Sequence, residues 1–154
     1  LHYPLRRQRQ MCIRDSTDIL SFFFKRHSTV VAHFEAYNQQ YKTINVSIIT
    51  YYEIMSGLKH RDAFRQLERF LQFAAQNTVL PLSEDAATYA ADHYALLCQQ
   101  GKRLDDIDLL IAGIALANNL VLVTRNTKHF QRIEGLPLAD WTQSSPEAEN
   151  FAEV

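Results

Sequence analysis

Two cysteines, Cys12 and Cys98, are all that the 154 residues contain. That is too few for a disulfide framework and fits a reducing cytosol. No apolar run approaches the roughly 18 residues needed to cross a bilayer. The N-terminus has basic residues but lacks the apolar stretch and small-residue cleavage site of a secretory signal. The expectation is a cytoplasmic protein with no membrane partner. Six histidines are scattered, without HExxH and without Cys/His pairs at zinc spacing, so any metal should be a hard cation held by oxygen. A formal net charge of −1 argues against an indiscriminate nucleic-acid coat but leaves room for a local basic rim. Basic residues do cluster, at Lys25-Arg26, Lys59-His60-Arg61, Lys102-Arg103 and from Arg125 to Arg132. Each cluster reads equally as the solvated end of a helix.

What is present is strand-helix alternation on the scale of one domain, with 47% hydrophobic residues to fill a core. Thr43 to Ile49 is short and β-branched and predicts a buried strand. Thr50 to His60 predicts a helix opened by a capping box of Thr50 and Glu53. Phe64, Leu67, Leu71 and Ala74 recur at helical spacing between residues 62 and 75. Thr78 to Leu82 predicts a strand near a sheet edge, because Pro81 cannot donate to a ladder. Ser83 caps the next helix, whose inner face is read as Ala87, Ala90, Tyr94, Leu97 and Cys98, and Gly101 ends it. Asp105 to Asn118 is apolar nearly all round, which marks a central helix. Leu120 to Thr124 is the clearest strand, followed by a short helix over 126–132 and a last strand over 136–141. Such alternation with short links implies an α/β domain with a parallel sheet covered on both faces.

The most informative stretch is LDDIDLLIAGIALANNLVLVTRNTKHF, from Leu104 to Phe130. Asp105, Asp106 and Asp108 stand at the mouth of the apolar helix. Asp105 as N-cap and Asp108 as the third helical residue would satisfy a capping box and the helix dipole. One acid suffices for that, and three repel one another unless a cation sits among them. Glu53 has the same dull explanation, yet it also lies just beyond a strand's C-terminal end, where open parallel sheets bind ligands. Asn126 ends another strand and is alone an ordinary turn residue. Together, two strand ends and one helix start bring oxygen-bearing side chains to one sheet edge. Mg²⁺ or Mn²⁺ needs few protein carboxylates and leaves room for a phosphate oxygen. Arg125, Lys128 and Lys59 stand ready for flanking phosphates.

With TDIL at Thr17, SIITYYEIMSGL from Ser47 and GLPLADW from Gly135, this stretch resembles a PIN-domain ribonuclease toxin of the VapC type, from Thr17 to Trp141. The resemblance implies a three-layer α/β/α PIN-like domain with a short central parallel sheet. It further implies a metal-dependent endoribonuclease that binds Mg²⁺ or Mn²⁺, forms a homodimer and is held inactive by a cognate VapB-like antitoxin in a bacterial cytoplasm. Carried over by residue, Asp108 and Glu53 are the metal ligands, Asn126 falls where many members have a fourth acid, and Arg125 and Lys128 are RNA contacts. The first acid does not match. Ser16 occupies its position, and Asp15 is one residue early, which in a strand turns a side chain to the opposite face unless a bulge intervenes.

Three segments follow. Residues 1–16, with four arginines, read as an anomalous stretch, disordered or non-native, in which MCIRDS has the look of an adapter-derived junction that has replaced the apolar first strand. Residues 17–142 form the PIN-like domain, and residues 143–154 a flexible tail. A rival to the nuclease is a catalytically impaired PIN-like module acting through protein–protein binding, with Phe22-Phe23-Phe24 and the face of Val30, Phe34, Tyr37 and Tyr41 as its contact surface. A weaker alternative is a metal-dependent phosphatase or a DNA-directed nuclease, because nothing in the sequence reads a 2′-hydroxyl.

Overall fold

A computed structural model describes residues 10–143 of the chain, with the side chains of residues 16 and 17 outside that description. Five strands form one parallel sheet. They are β1 (Met11–Ile13), β2 (Asn45–Ser47), β3 (Thr78–Leu80), β4 (Val121–Val123) and β5 (Leu138–Ala139), in the spatial order β3-β2-β1-β4-β5. The helices are α1 (Ser16–Phe24), α2 (Ser28–Gln40), α3 (Ile48–His60), α4 (Phe64–Gln76), α5 (Glu84–Gln99), α6 (Asp106–Ala117) and α7 (Thr127–Phe130).

Adjacent residues on each inner strand feed opposite cores, as the two-residue period of a strand requires. Cys12 and Leu122 join a cluster with Leu97, Leu109, Ile111 and Phe130, on the side of α5, α6 and α7. Ile13 and Val123 join Ile19, Phe34, Ile54, Phe70 and Trp141, on the side of α1 to α4. The result is the expected three-layer α/β/α architecture. Of the fully buried side chains, Trp141, Phe34, Phe70 and Phe130 are the bulkiest, and each stabilises the fold by about 1.5–3 kcal/mol relative to exposure.

Several expectations change. Part of the segment set apart at residues 1–16 is the middle of the sheet: Met11–Ile13 pairs with β2 on one side and β4 on the other. Three residues are enough because Cys12 and Ile13 are completely buried and both edges of the strand are hydrogen-bonded. The first nine residues, and the tail from 144 onward, lie outside the described residues. The second strand is shorter than expected, since Ile48 and Ile49 already belong to α3. The α5 inner face is Ala86, Ala90 and Leu97 with half-buried His93, whereas Ala87 and Tyr94 are exposed. On α4, Phe70 and Phe73 turn inward, and Phe64 and Leu71 face outward.

The proposed protein-binding face is corrected too. Val30, Phe34 and Tyr37 are core residues. The phenylalanine run is shared out, with Phe22 stacked on Phe34 at 4.5 Å between ring centres, Phe23 edge-on to Phe73 at 5.2 Å, and Phe24 beneath the Arg26 guanidinium. Other expectations hold: β3 is an edge strand, α6 is buried along most of its length, and Ser83 accepts a hydrogen bond from the Ala86 amide as the N-cap of α5. Gly101, in the left-handed region at φ 68°, closes that helix with a bond from its amide to the Cys98 carbonyl.

Candidate active site

The chain leaves β1 for β2 on one side, and later crosses to β4 on the other. The gap between the C-terminal ends of β1 and β4 is therefore the topological switch point of the sheet, where open α/β folds hold their ligands. Every residue of the candidate site lies around it.

Arg14 follows β1 directly. Its amide donates to the Val123 carbonyl (2.9 Å) and its carbonyl accepts from Thr50 Oγ1 (3.2 Å), so the backbone is fixed on both sides. The side chain reaches along the sheet edge. Nη1 donates to Glu53 Oε1 at 3.0 Å, and Nη2 and Nε donate to Asp108 Oδ1 at 3.0 and 3.3 Å. The other oxygen of Asp108, Oδ2, is 3.1 Å from His129 Nε2.

The two acids reach this cluster because neither is used as a cap. Ser47, the last residue of β2, is the N-cap of α3, and its Oγ accepts from the Thr50 amide at 3.0 Å. The capping box expected from Thr50 and Glu53 is thereby replaced, and Glu53, now in the second turn, is left for Arg14. At α6, Asp105 holds the N-cap position without a side-chain cap bond. Asp108 lies in the first turn, where the helix dipole favours its charge, and spends its oxygens on Arg14 and His129.

Asp15 faces the same edge but turns to β4. Its Oδ2 accepts from the Arg125 amide at 2.6 Å and its Oδ1 from Thr124 Oγ1 at 3.4 Å. Strand β1 ends at Ile13, so the strict alternation of a strand no longer governs where this side chain points. Burial pushes its carboxyl above the usual range, against the hydrogen bond from Arg125 and the nearby Arg14 charge. Behind it Asp18, in the first turn of α1, is 1% exposed and has an Oδ2 with no partner among the described residues. Burial first, then the Asp15 and Asp140 charges, push Asp18 up to about 7, with Arg125 opposing. Asn126 supplies backbone groups to the turn into α7, its amide donating to Thr124 Oγ1 at 3.1 Å, while its side chain makes no hydrogen bond among the described residues. Arg125 and Lys128 are exposed beside it.

As folded, the cluster does not fit a divalent cation. Among the described residues no three His, Cys, Asp or Glu side chains converge as metal donors. The lone pairs that Glu53 and Asp108 could offer are directed at a guanidinium. Mg²⁺ would need those same oxygens at about 2.0–2.1 Å.

Arg14, His129 and Asp18 were not among the site residues expected from sequence. Asp18 had a signal, since it lies within the TDIL motif. Arg14 had a fainter one, as the residue joining the apolar triplet MCI to an acid. His129 had none beyond its place after the β4 end.

A small parallel α/β/α domain with carboxylates gathered at its switch point is the class that fold and site define. The PIN domain family model matches residues 15–136. A tRNA(fMet)-specific endonuclease VapC of Shigella flexneri is 32% identical over 127 residues, covering 82% of this chain and 95% of that protein. Ribonuclease VapC1 of Haemophilus influenzae is 30% identical, covering 82% and 96%. Among solved structures, VapBC2 from Rickettsia felis bound to a DNA fragment from its promoter superposes with a TM-score of 0.74 at 26% identity, covering 86% of this chain and 99% of that one. The chain belongs to the PIN-domain family, in its VapC group.

Proposed function

We propose that the chain is an endoribonuclease toxin that hydrolyses RNA phosphodiester bonds at the β1–β4 edge and is paired with a VapB-like antitoxin. The observation that carries this reading is the convergence of Glu53 and Asp108, from two separate helices, on a single cation at the switch point. The relatives support it, being ribonucleases and an endonuclease by name, and the Rickettsia structure is of a VapBC pair. In this reading Asp108 and Glu53 hold Mg²⁺ or Mn²⁺ once Arg14 has moved aside, and an ion so held would activate water and stabilise the leaving oxygen. Asn126 and, from the β1 side, Asp15 flank that position. Exposed Arg125 and Lys128 hold phosphates on either side of the scissile bond. A homodimer in a bacterial cytoplasm completes the proposal. Neither the RNA target nor the particular antitoxin is specified by these residues.

One observation favours the second reading, a catalytically impaired module that works by binding protein: Arg14 satisfies both acids. The two readings part in a ribonuclease assay with Mg²⁺ and Mn²⁺ on the chain, Asp108→Asn and Ser16→Asp. A nuclease loses cleavage in Asp108→Asn and gains it in Ser16→Asp. Cleavage by Asp108→Asn at the unaltered rate would remove Asp108 from the chemistry.

A further inference from the structure

We propose that Arg14 is the resident counter-ion of the Glu53–Asp108 pair and competes with divalent cations for it, so that the chain folds in a latent state that must shed the guanidinium before it binds metal. The inference rests on the reading above that these carboxylates form a cation site.

Three features set this contact apart from an incidental surface ion pair. Three N–H groups of the fork are engaged by two carboxylates from different helices. The guanidinium is largely shielded, with side-chain exposure of 17% for Arg14, 15% for Asp108 and 35% for Glu53, so solvent screens the interaction less than at an open surface. The Arg14 backbone is tied to Val123 and Thr50, and Thr50 in turn bonds to Ser47. Displacement is therefore a rotation of the side chain over an unchanged sheet edge.

The competition has a physical basis in charge and in geometry. A guanidinium is fork-shaped and always protonated, and here it spans two acids that would otherwise repel. A divalent ion between the same oxygens would lie against a positive charge unless the fork swings into solvent. The apparent affinity for metal is then the intrinsic affinity reduced by the fraction of molecules with Arg14 out.

Two measurements test this, with Mn²⁺ and Mg²⁺ as the probes. In the first, Mn²⁺ is titrated calorimetrically into the full chain, Arg14→Met and Asp108→Asn, alongside thermal melts. Arg14→Met keeps the length and removes the charge. We expect it to melt lower than the unaltered chain without metal, because two facing carboxylates lose their counter-ion. With Mn²⁺ it should recover more than the unaltered chain does, and bind Mn²⁺ tighter by on the order of tenfold or more. Asp108→Asn should lose that binding. The second needs no substitution: the Arg14 Nε–H resonance, held by Asp108, should move to a solvent-exposed position as Mg²⁺ is added. Equal Mn²⁺ affinity in Arg14→Met and the unaltered chain would overturn the proposal and leave the carboxylate site standing, as would an Arg14 resonance unmoved at saturating Mg²⁺. RNA cleavage in the same samples reads the nuclease separately. Tighter Mn²⁺ binding by Arg14→Met without any cleavage would uphold Arg14 as the counter-ion and sink the nuclease.

Discussion

His129 Nε2 stands 3.1 Å from Asp108 Oδ2, on the side of the carboxylate away from Arg14. One acid of the site is therefore oriented from both sides, by the residue after β1 and by a residue of α7. A ligating carboxylate depends on such partners for its direction, and their loss typically costs about 10–100-fold in metal affinity or activity.

His129→Ala is accordingly expected to lower RNA cleavage by roughly tenfold while leaving the fold in place. His129 is partly exposed, so the stability lost with this contact should be no more than about 1 kcal/mol. Single-turnover cleavage and a thermal melt on the same preparation check the two halves of the statement. A large drop in melting temperature would mean that His129 is structural instead.

Asp18 predicts a pH dependence of stability. Its folded pKa lies at about 7 against an ordinary value of 3.8, raised mainly by burial. The folded chain therefore holds this proton more tightly than the unfolded chain. Stability from that source is complete below pH 4 and is lost as pH rises through about 7. A shift of some three units corresponds to at most about 4 kcal/mol. Asp18→Asn keeps the shape and cannot ionise, so it should unfold at higher urea than the unaltered chain at pH 8, with the difference shrinking at pH 5. A gap that stays constant across that range would show that Asp18 does not titrate in the fold.

The architecture was legible because its signals are local and redundant. LVLVT could only be a strand, the Asp105–Asn118 run had no polar face to expose, and Ser83 and Gly101 punctuate a helix in the usual way. The details that fail are those settled by competition between neighbours. Thr50–Glu53 is a sound capping box on paper, but Ser47 caps the helix three residues earlier, and that choice frees Glu53 for the site. Met11–Ile13 has too few residues for a periodicity, and only the two flanking strands make it one. Arg14 was invisible as a site residue because its partners lie 39 and 94 positions away, and a motif for carboxylates does not ask what cation is already there.

Close packing between α5 and α6 gives a prediction with a built-in control. A Cβ on Gly113 would collide with the Ala86 backbone carbonyl and lie 3.2 Å from the Ala90 Cβ. Backbone cannot yield as a flexible side chain does, so Gly113→Ala should cost at least about 1–3 kcal/mol. Gly57, in α3, has nothing within 4 Å of its Cβ position. There the same substitution should stabilise by roughly 0.5–1 kcal/mol, the ordinary gain of alanine over glycine in a helix. Chemical denaturation of the two variants should move the midpoint in opposite directions, and a matching shift would refute the packing argument.

The cysteines test the place of β1 directly. Cys12 is fully buried in the central strand, and burial pushes its thiol up to about 12. Cys98, near the end of α5, is partly exposed. Thiolate is the reacting species, so at pH 8 a thiol reagent should modify Cys98 quickly and leave Cys12 untouched. Modification of Cys12 requires the β2–β1–β4 ladder to open, and its rate should follow global unfolding as denaturant is added. Mass spectrometry after timed labelling assigns each site. Two fast thiols in native buffer would mean that Met11–Ile13 does not occupy the middle of the sheet, and Arg14 would then lose the anchor that aims it at Asp108.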